Sequence, residues 1–393
     1  MNACDVLVVG GGPGGAATAT FAAEAGFRVV LVEHARFPQG KVCGEFVSAE
    51  GLRVLDRLGV RPALVLAGAP SIDTCAVATG PTARIAARLP DLGAGVRAGL
   101  GVSRELLDRV LRDRARAAGA TVLEGHDAAP RESGGRVVGA TVGRVGSGER
   151  TERLDATVVV AADGRRSAFA SGGRRMAARR TGSSAWFGLK VHLHGDSAAL
   201  GRRVELHAFD GGYAGLCAIE GRRINACILA RVGALRACSG DPARLLAERV
   251  LAEPQVRAVV GEGIPCSRWR SVGPLLWGAR RPASRGVLCV GDAAGTIDPL
   301  CGEGMSHALR AAEIVVAHVA AAVEAGGVDS GIEGAYAAAW RREFAEATRR
   351  ARGIGWLLER RALARLVLRS LACGPAALVP RLVAWSRTGS PRG

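Results

Sequence analysis

The stretch that decides the fold reads Asp5-Val6-Leu7-Val8-Val9-Gly10-Gly11-Gly12-Pro13-Gly14-Gly15. Its first half is a continuous apolar run, which is typical of a central parallel strand buried on both faces. An alanine-rich stretch from Ala16 to about Ala25 then predicts a helix that ends at Gly26, and residues 28–33 predict a second strand. The sequence therefore predicts a strand, turn, helix and strand of the Rossmann type.

The glycine-rich turn has the spacing that binds the phosphates of a dinucleotide. Gly10 permits the tight turn, Gly12 lets the backbone approach a pyrophosphate, and Gly15 lets the helix pack close to the strand. The N–H groups and the dipole at the helix N-terminus favour an anion at this turn. A carboxylate at the end of the second strand can accept hydrogen bonds from a ribose. The predicted dinucleotide-binding residues are Gly10, Gly12, Pro13, Gly14, Gly15 and Glu33.

Length and composition limit the class of protein. The 393 residues, of which 48% are hydrophobic, suffice for one nucleotide-binding domain and a smaller second domain. The formal charge of +17 would suit nucleic acid, but the arginines are spread along an alanine- and glycine-rich chain, so we expect no nucleic-acid partner. The ten cysteines include no Cys-x-x-Cys pair and no clustered histidines, so we expect no metal site. No secretory signal is recognised, and a cytoplasmic location is expected.

A segment in the C-terminal half separates FAD from NAD. Residues 285–292 predict another buried strand that ends in Gly-Asp, followed by a glycine-rich turn and a long helix. This segment resembles the Gly-Asp motif of flavoprotein monooxygenases of the para-hydroxybenzoate hydroxylase type, of geranylgeranyl reductases and of flavin-dependent halogenases. The resemblance implies bound FAD, with Asp292 on the ribityl chain. It also implies further cofactor-binding residues around the isoalloxazine, which are Pro299, Gly302, Gly304 and Met305.

Two further segments resemble cofactor-binding parts of the same families. Asp163 opens an Asp-Gly motif whose family role is contact with the cofactor and the nicotinamide, although Ala170 stands where the family places an arginine. Arg104 matches an arginine that meets the FAD, and Ser103 before it is a candidate N-cap of a helix. The resemblance therefore adds Asp163 and Arg104 to the cofactor-binding residues.

The loop of residues 36–45 resembles one that geranylgeranyl reductases place near the flavin. The resemblance implies that Cys43 and Gly44 approach the isoalloxazine. Cys43 is then either a redox-active thiol or a small packing residue, and the sequence leaves both alternatives open.

The predicted fold class is α/β, with a discontinuous Rossmann-type FAD-binding domain, an inserted β-sheet substrate domain and a helical C-terminal segment. Six β-rich stretches predict one mixed or antiparallel sheet that encloses a lipophilic or aromatic substrate: 71–77, 84–89, 186–194, 203–209, 213–219 and 223–230. The predicted boundaries are 1–70, 98–170 and 283–326 for the FAD-binding domain, 71–97 and 171–282 for the substrate domain, and 327–393 for the helical region.

Alternation along residues 186–194 places Lys190, His192 and His194 on one face of a strand. Only two of the 53 basic residues are lysines, so a compact, titratable ammonium at Lys190 makes it a catalytic candidate, beside Cys43 and Pro299. A solvated outer face explains the pattern equally well, and both histidines would then lie on the surface. No acid and base pair stands out.

The C-terminal residues predict helices. The stretch 356–372 is amphipathic, with arginines on one side and aliphatic residues on the other: Arg361, Arg365 and Arg369 against Leu363, Leu366, Val367 and Leu371. A basic amphipathic helix either lies on a membrane surface or covers a domain, so peripheral membrane contact stays open. Residues 311–323 are too short and too polar to span a membrane and predict a buried helix.

The motifs favour an FAD-dependent monooxygenase that uses NADH or NADPH as a transient reductant and O2 to hydroxylate or epoxidise an aromatic, quinone-like or polyketide-like molecule. A geranylgeranyl-reductase-like enzyme that reduces isoprenoid double bonds is the alternative. Gly295, where aromatic hydroxylases often have histidine, favours the reductase, whereas only Tyr213 is present of its Tyr-x-Trp-x-Phe-Pro motif. A halogenase is disfavoured because Trp-x-Trp-x-Ile-Pro is missing, and a non-enzymatic FAD-binding protein because three flavin motifs are present.

Overall fold

The structure is a computed structural model that describes residues 3–36, 38–80, 82–90, 99–147, 152–170, 185–275, 278–279, 281–296, 299–375 and 377–385. The strands are β1 (Ala3–Val9), β2 (Val29–Glu33), β3 (Phe46–Val47), β4 (Ser71–Ile72), β5 (Thr74–Ala78), β6 (Arg84–Arg88), β7 (Gly99–Gly101), β8 (Thr121–Glu124), β9 (His126–Ser133), β10 (Arg136–Arg144), β11 (Glu152–Ala161), β12 (Trp186–His194), β13 (Arg203–Phe209), β14 (Gly212–Ile219), β15 (Arg223–Arg231), β16 (Arg270–Leu275), β17 (Gly278–Ala279), β18 (Ala283–Ser284), β19 (Val287–Cys289) and β20 (Gly295–Thr296).

The helices are α1 (Pro13–Glu24), α2 (Ala49–Arg57), α3 (Arg61–Leu66), α4 (Arg104–Ala117), α5 (Ser197–Leu200), α6 (Val232–Ala237), α7 (Pro242–Leu245), α8 (Pro254–Val260), α9 (Gly304–Glu324), α10 (Ser330–Leu358), α11 (Arg361–Cys373) and α12 (Leu378–Trp385). A π-helical turn, Leu246–Val250, follows α7. Short 3-10 turns form at Gly164–Arg166, Gly291–Ala293 and Pro299–Cys301.

The first sheet is the Rossmann sheet that the N-terminal sequence predicts. Its strand order is β18-β19-β11-β1-β2-β8, and β10 and β9 continue from β11 as antiparallel strands. The central strand β1 pairs in parallel with β2 and β11, and its residues 6–9 are buried, as expected for a strand covered on both faces. Helix α1 begins at Pro13, three residues before the predicted start, because proline suits the first helical position after the extended Gly12.

The second sheet has seven strands in the order β16-β12-β15-β14-β13-β5-β6. It is mixed, since β13 and β5 pair in parallel while the neighbouring strands are antiparallel. Ser71 and Ile72, predicted as part of this sheet, instead form β4 of a separate sheet with β3 and β7. The sequence analysis did not predict strand β16, because glycine and proline, which are rare in strands, occupy positions 273 and 274. The strand lies at the sheet edge, where proline is tolerated.

The two sheets interleave along the chain. The Rossmann sheet takes its strands from residues 3–33, 121–161 and 283–289, and the second sheet takes its strands from residues 74–88 and 186–275. The α/β fold class with a discontinuous nucleotide-binding unit is therefore confirmed. The exact domain boundaries stay predictions, and residues 81, 91–97, 171–184, 276–277 and 280 of the predicted substrate domain lie outside the described residues.

Long C-terminal helices complete the structure, as the sequence predicts. Helix α9 is long and apolar enough to cross a membrane, yet half of its most apolar window is buried among the other elements. Helix α10 packs against it, and the hydroxyl of Tyr336 donates a hydrogen bond of 2.6 Å to the carbonyl of Cys289 in the Rossmann sheet. Helix α9 is therefore a core helix of this fold, as the interruption of its apolar run indicated.

A buried carboxylate in the second sheet predicts how stability depends on pH. Burial opposes ionisation of Glu205, but hydrogen bonds from His207 and Arg203 and the charge of Arg84 outweigh it and lower its pKa to about 2. A carboxyl group whose pKa is lowered on folding stabilises the protein above its unfolded pKa of about 4.3, and this contribution is lost as the pH falls through the folded pKa. Acidification from pH ~5 to pH ~2 should therefore remove on the order of 2 kcal/mol through this group.

Urea unfolding of the wild type and of Glu205→Gln across this pH range tests the prediction. The difference in unfolding free energy between them should be largest near pH ~5 and shrink towards pH ~2. The variant Glu324→Gln, at an exposed carboxylate on α9, is the matched control. A difference that stays constant with pH would contradict the prediction.

Candidate active site

A single cavity of about 1530 Å³ lies where the Rossmann sheet, the second sheet and the C-terminal helices meet. Every residue that the sequence singled out for cofactor binding lines its wall: Gly10, Gly12, Pro13, Gly14, Gly15, Glu33, Cys43, Gly44, Arg104, Asp163, Asp292, Pro299, Gly302, Gly304 and Met305. The catalytic candidate Lys190 does not line the cavity, and its ammonium donates a hydrogen bond to the carboxylate of Glu45. The fold thus brings three distant motifs to one space.

The glycine turn is shaped by close backbone contacts. Gly10 has a φ of +105°, and a Cβ atom there would lie 2.3 Å from the carbonyl oxygen of Ala162. A Cβ atom on Gly15 would lie 1.8 Å from the carbonyl oxygen of Gly10. Gly12 is less crowded, since its nearest neighbour would be the guanidinium of Arg104 at 3.5 Å. The turn therefore brings the N-terminus of α1 to the cavity, where its free N–H groups suit a phosphate.

Glu33 closes the same turn from the end of β2. Its carboxylate is buried and accepts hydrogen bonds from the backbone N–H groups of Gly11, at 2.5 Å, and Ala35, at 2.8 Å. A carboxylate has about four acceptor positions, so two remain for a ligand hydroxyl. Glu33 therefore holds the turn and still presents acceptors to the cavity.

The Asp-Gly and Gly-Asp motifs meet beside the glycine turn, because a Cβ atom on Gly10 would lie 2.7 Å from the backbone N of Asp163 and one on Gly14 would lie 3.4 Å from Val290. The guanidinium Nε of Arg165 lies 3.7 Å from Oδ2 of Asp292. Oδ2 of Asp163 accepts the N–H of Ala168 at 3.0 Å, whereas its buried Oδ1 has no hydrogen-bond partner among the described residues. Burial raises the pKa of Asp163. Asp163 and Asp292 therefore belong to one polar site, although they are far apart in sequence.

The turn before α9 gives the cavity a second helix N-terminus. Pro299 begins a 3-10 turn, Gly302 follows with a φ of +63°, and α9 starts at Gly304. Gly304 and Met305 both line the cavity. The positive end of a 21-residue helix therefore points at this wall and favours negative charge there.

Arg104 supplies fixed positive charge beside the glycine turn. Ser103 is the N-cap of α4, as predicted, because its hydroxyl accepts the N–H of Leu106 at 3.1 Å. Nε and Nη2 of Arg104 donate to the carboxylate of buried Asp108 at 2.9 and 2.8 Å. Burial works against the charge, but Asp108 and the other neighbouring acidic groups raise the pKa of Arg104, so the guanidinium stays charged. Asp108 therefore fixes its direction towards the cavity.

A buried charged cluster, which the sequence analysis did not predict, supports the wall behind Cys43 and Gly44. We call it the Glu45 cluster, and it consists of Glu45, Lys190 and His192. Oε1 of Glu45 accepts hydrogen bonds from the ammonium of Lys190 and from the backbone N–H of Arg104, and Oε2 lies 2.6 Å from Nε2 of His192. The three side chains are at most 3% exposed.

The Glu45 cluster corrects one expectation. Lys190 and His192 lie on one face of β12, as predicted, but that face is buried and not solvated; only His194 is exposed. Burial alone would raise the pKa of Glu45, yet the hydrogen bond with His192 and the charge of Lys190 lower it. A lysine and a histidine that alternate with apolar residues along a strand were the signal for an acidic partner, but this signal did not show that the partner is Glu45.

Cys43 precedes this cluster and lines the cavity. Its carbonyl accepts a hydrogen bond of 3.1 Å from the amide of Asn225, which ties the loop to the second sheet. Burial raises the pKa of the Cys43 thiol, so the thiol is held protonated. A protonated thiol is a weak nucleophile, which favours a packing role over a redox role.

The fold and the site define a class of protein. The class is a flavin oxidoreductase that binds a dinucleotide, and its parts are a Rossmann unit, an acid at the end of the second strand, a Gly-Asp turn beside the glycine turn and a covering mixed sheet. Residues 3–351 match the family described as FAD binding domain. The chain belongs to this family and is an FAD-dependent oxidoreductase, as the motifs predicted.

Similar proteins place the chain within that family. It is 31% identical to a digeranylgeranylglycerophospholipid reductase of Methanothrix thermoacetophila, over 87% of this chain and 84% of the relative. It is 28% identical to a menaquinone reductase of Mycobacterium tuberculosis, over 79% of this chain and 74% of the relative. Among solved structures, the flavin-dependent brominase Bmp2 has a TM-score of 0.79 at 17% identity, covering 97% of this chain and 93% of Bmp2, which shows a shared fold.

The residues of the cavity fit FAD. Gly12 lines the cavity without a side chain, and Arg104 and the α1 N-terminus supply positive charge for a pyrophosphate. Two buried polar atoms on the wall, Oδ1 of Asp163 and Oγ1 of Thr296, have no partner among the described residues, as expected where a bound group supplies one. Sequence reasoning missed Thr296 because a single threonine after a Gly-Asp turn carries no distinctive pattern.

Proposed function

We propose that this chain is an FAD-dependent reductase that saturates carbon–carbon double bonds of a lipophilic isoprenoid lipid or quinone. The observation that carries the proposal is the similarity to the digeranylgeranylglycerophospholipid reductase, which extends over most of both chains. The sequence motifs favoured a monooxygenase and left a reductase as the alternative. With this similarity, the reductase becomes the first proposal. The menaquinone reductase supports the same chemical class of substrate.

The shape and lining of the cavity support a large apolar substrate. At about 1530 Å³ the cavity exceeds the roughly 300–1,000 Å³ of ordinary small-molecule pockets, so it can hold FAD and a second molecule. The wall away from the glycine turn is aliphatic, and includes Val77, Ile85, Leu206, Leu275, Ile354, Leu357, Val367 and Leu371. An isoprenoid chain would replace water along this wall.

The chemistry requires little from the protein beyond binding and orientation. When bound, reduced FAD supplies a hydride, and a proton completes the saturation of the double bond. The glycine turn, Glu33, Asp163 and Asp292 would hold the cofactor, and the aliphatic wall would orient the substrate and exclude water. NADH or NADPH is the proposed reductant.

Monooxygenation is the second candidate. Only Tyr213 is present of the tyrosine, tryptophan, phenylalanine and proline motif of the reductases, and Tyr213 lines the cavity. This departure favours a different substrate, such as an aromatic, quinone-like or polyketide-like molecule that is hydroxylated or epoxidised with O2.

One assay separates the two reactions. The purified holoprotein, NADPH or NADH, and either menaquinone or a geranylgeranyl lipid are incubated with and without oxygen, and products are identified by mass spectrometry. We expect a gain of two hydrogen atoms, with turnover that persists without oxygen. Gain of one oxygen atom, only in air, would replace the reductase proposal with the monooxygenase. A flavin-depleted preparation is the control, and it should give no product of either kind.

A further inference from the structure

The C-terminal helices expose an unusual apolar surface. Ten large hydrophobic residues are exposed among the described residues, and six of them lie between residues 356 and 385. We call these six residues the C-terminal face, and they are Trp356, Leu363, Leu366, Leu378, Leu382 and Trp385. The sequence predicted Leu363, Leu366, Val367 and Leu371 on one aliphatic side of a helix. In the structure Val367 and Leu371 line the cavity, whereas Leu363 and Leu366 are exposed to solvent.

The same segment is strongly basic. Residues 349–385 contain eight arginines and a single acidic residue, Glu359. Glu359 is itself paired, since its Oε2 accepts a hydrogen bond of 2.7 Å from Arg231 of the second sheet. The guanidinium of Arg360 lies 3.9 Å from the ring centre of Trp356, and that of Arg350, which is also paired with Glu346, lies 4.9 Å from the ring centre of Trp385. Positive charge and exposed aromatic rings are therefore adjacent on this surface.

The C-terminal face is continuous with the cavity. Leu382 and Trp385 are exposed and also line the cavity, as does Arg350, which donates a hydrogen bond of 2.6 Å to the carbonyl of Trp385. Deeper in the same wall lie Val367, Leu368, Leu371, Val379 and Val383. The rim of the cavity thus belongs to the basic and apolar surface, and an apolar path leads inwards from it.

We propose that the C-terminal face docks on the surface of a lipid bilayer that contains anionic lipids, and that the substrate passes from this bilayer into the cavity between α10 and α12. Tryptophan rings favour the headgroup region, arginines favour anionic phosphates, and the leucines favour the upper acyl chains. The docking surface is argued from charge and exposure alone, whereas the passage of substrate also rests on the proposed function.

Vesicle co-sedimentation of the full-length holoprotein tests the docking. Vesicles of phosphatidylcholine mixed with phosphatidylglycerol should bind the protein, vesicles of phosphatidylcholine alone should bind it at least about fivefold more weakly, and added salt should weaken binding. The double variant Leu363→Asp/Leu366→Asp should weaken binding to the anionic vesicles by at least about tenfold. The matched control is Val65→Asp/Leu66→Asp, which changes two adjacent exposed apolar residues of α3 and should bind as the wild type does.

Each other outcome overturns the docking proposal. No binding to anionic vesicles, equal weakening by both double variants, or sedimentation without lipid through self-association would each do so. If competing RNA releases the protein from the vesicles while the Leu363→Asp/Leu366→Asp variant binds them as the wild type does, the basic surface would instead be a nucleic-acid binding site. Flavin content and turnover of a detergent-solubilised substrate are measured in parallel, since neither residue lines the cavity. Loss of vesicle binding in the Leu363→Asp/Leu366→Asp variant, with turnover retained, supports the docking surface. Absence of turnover in the wild type and in both double variants would instead count against the proposed function.

Discussion

Replacing Glu45 by glutamine is expected to lower the free energy of unfolding by about 3–5 kcal/mol. The carboxylate is fully buried between Lys190 and His192, and it holds the loop of Cys43 against β12. Without it, the Lys190 ammonium, which is 3% exposed, has lost its counter-ion. Removing one partner of a buried pair costs far more than the pair itself contributes, because the other charge stays desolvated.

Urea unfolding of Glu45→Gln, Lys190→Met and the double variant would measure this coupling. The double variant should be more stable than Glu45→Gln alone, since the methionine removes the orphaned charge at similar volume. Glu324→Gln, at an exposed position, should remain close to the wild type. Additive losses in the double variant would show that Glu45 and Lys190 are not coupled.

The pH dependence of the free energy of unfolding tests the same prediction in a second way. Because the pKa of Glu45 is lowered in the folded protein, its contribution is present above the ordinary carboxyl pKa of about 4.3 and is lost as the pH falls through the folded value. The stability difference between wild type and Glu45→Gln should therefore shrink on acidification. The Glu45→Gln variant should also bind flavin more weakly than the wild type does, because Glu45 and its neighbours Cys43 and Gly44 line the cavity.

Replacing Gly15 by valine is expected to abolish flavin binding. A Cβ atom there would lie 1.8 Å from the carbonyl oxygen of Gly10, so the Cα atom of Gly15 and this oxygen, both of them backbone atoms, would have to move apart. Neither can move without separating α1 from β1, so the N–H groups that face the phosphates would lose their positions. The flavin absorbance per mole of purified protein measures the effect, and we expect a loss of at least about a hundredfold in affinity, as for ~3 kcal/mol of lost interaction.

The control for this variant is Gly334→Ala. A Cβ atom on Gly334 of α10 would have no neighbour within 4 Å apart from the backbone of its own helix, so alanine should be neutral or stabilise the helix by about 0.5–1 kcal/mol. Circular dichroism of Gly15→Val separates a local loss of the turn from general unfolding. Full flavin occupancy in Gly15→Val would show that the backbone contact is not required.

The local parts of the site followed from sequence. The apolar run of β1, the glycine spacing and Glu33 lie within 33 residues, and each acts through backbone geometry that neighbouring residues dictate. Ser103 was found as an N-cap for the same reason, since it bonds a residue three positions away. The Gly-Asp turn at Asp292 implied FAD through its resemblance to known flavoprotein families, and its pattern of strand, turn and helix is equally local.

The sequence by itself thus determined the α/β fold class, the nucleotide end of the cavity and FAD as cofactor. Only the tertiary structure decided that the charged face of β12 is buried, because Glu45 reaches Lys190 across 145 positions of sequence. It also decided which side of the C-terminal helices faces water and which faces the cavity. Periodicity places residues on a common face, but burial and ion pairing depend on what covers that face, and the covering segments here are distant in sequence.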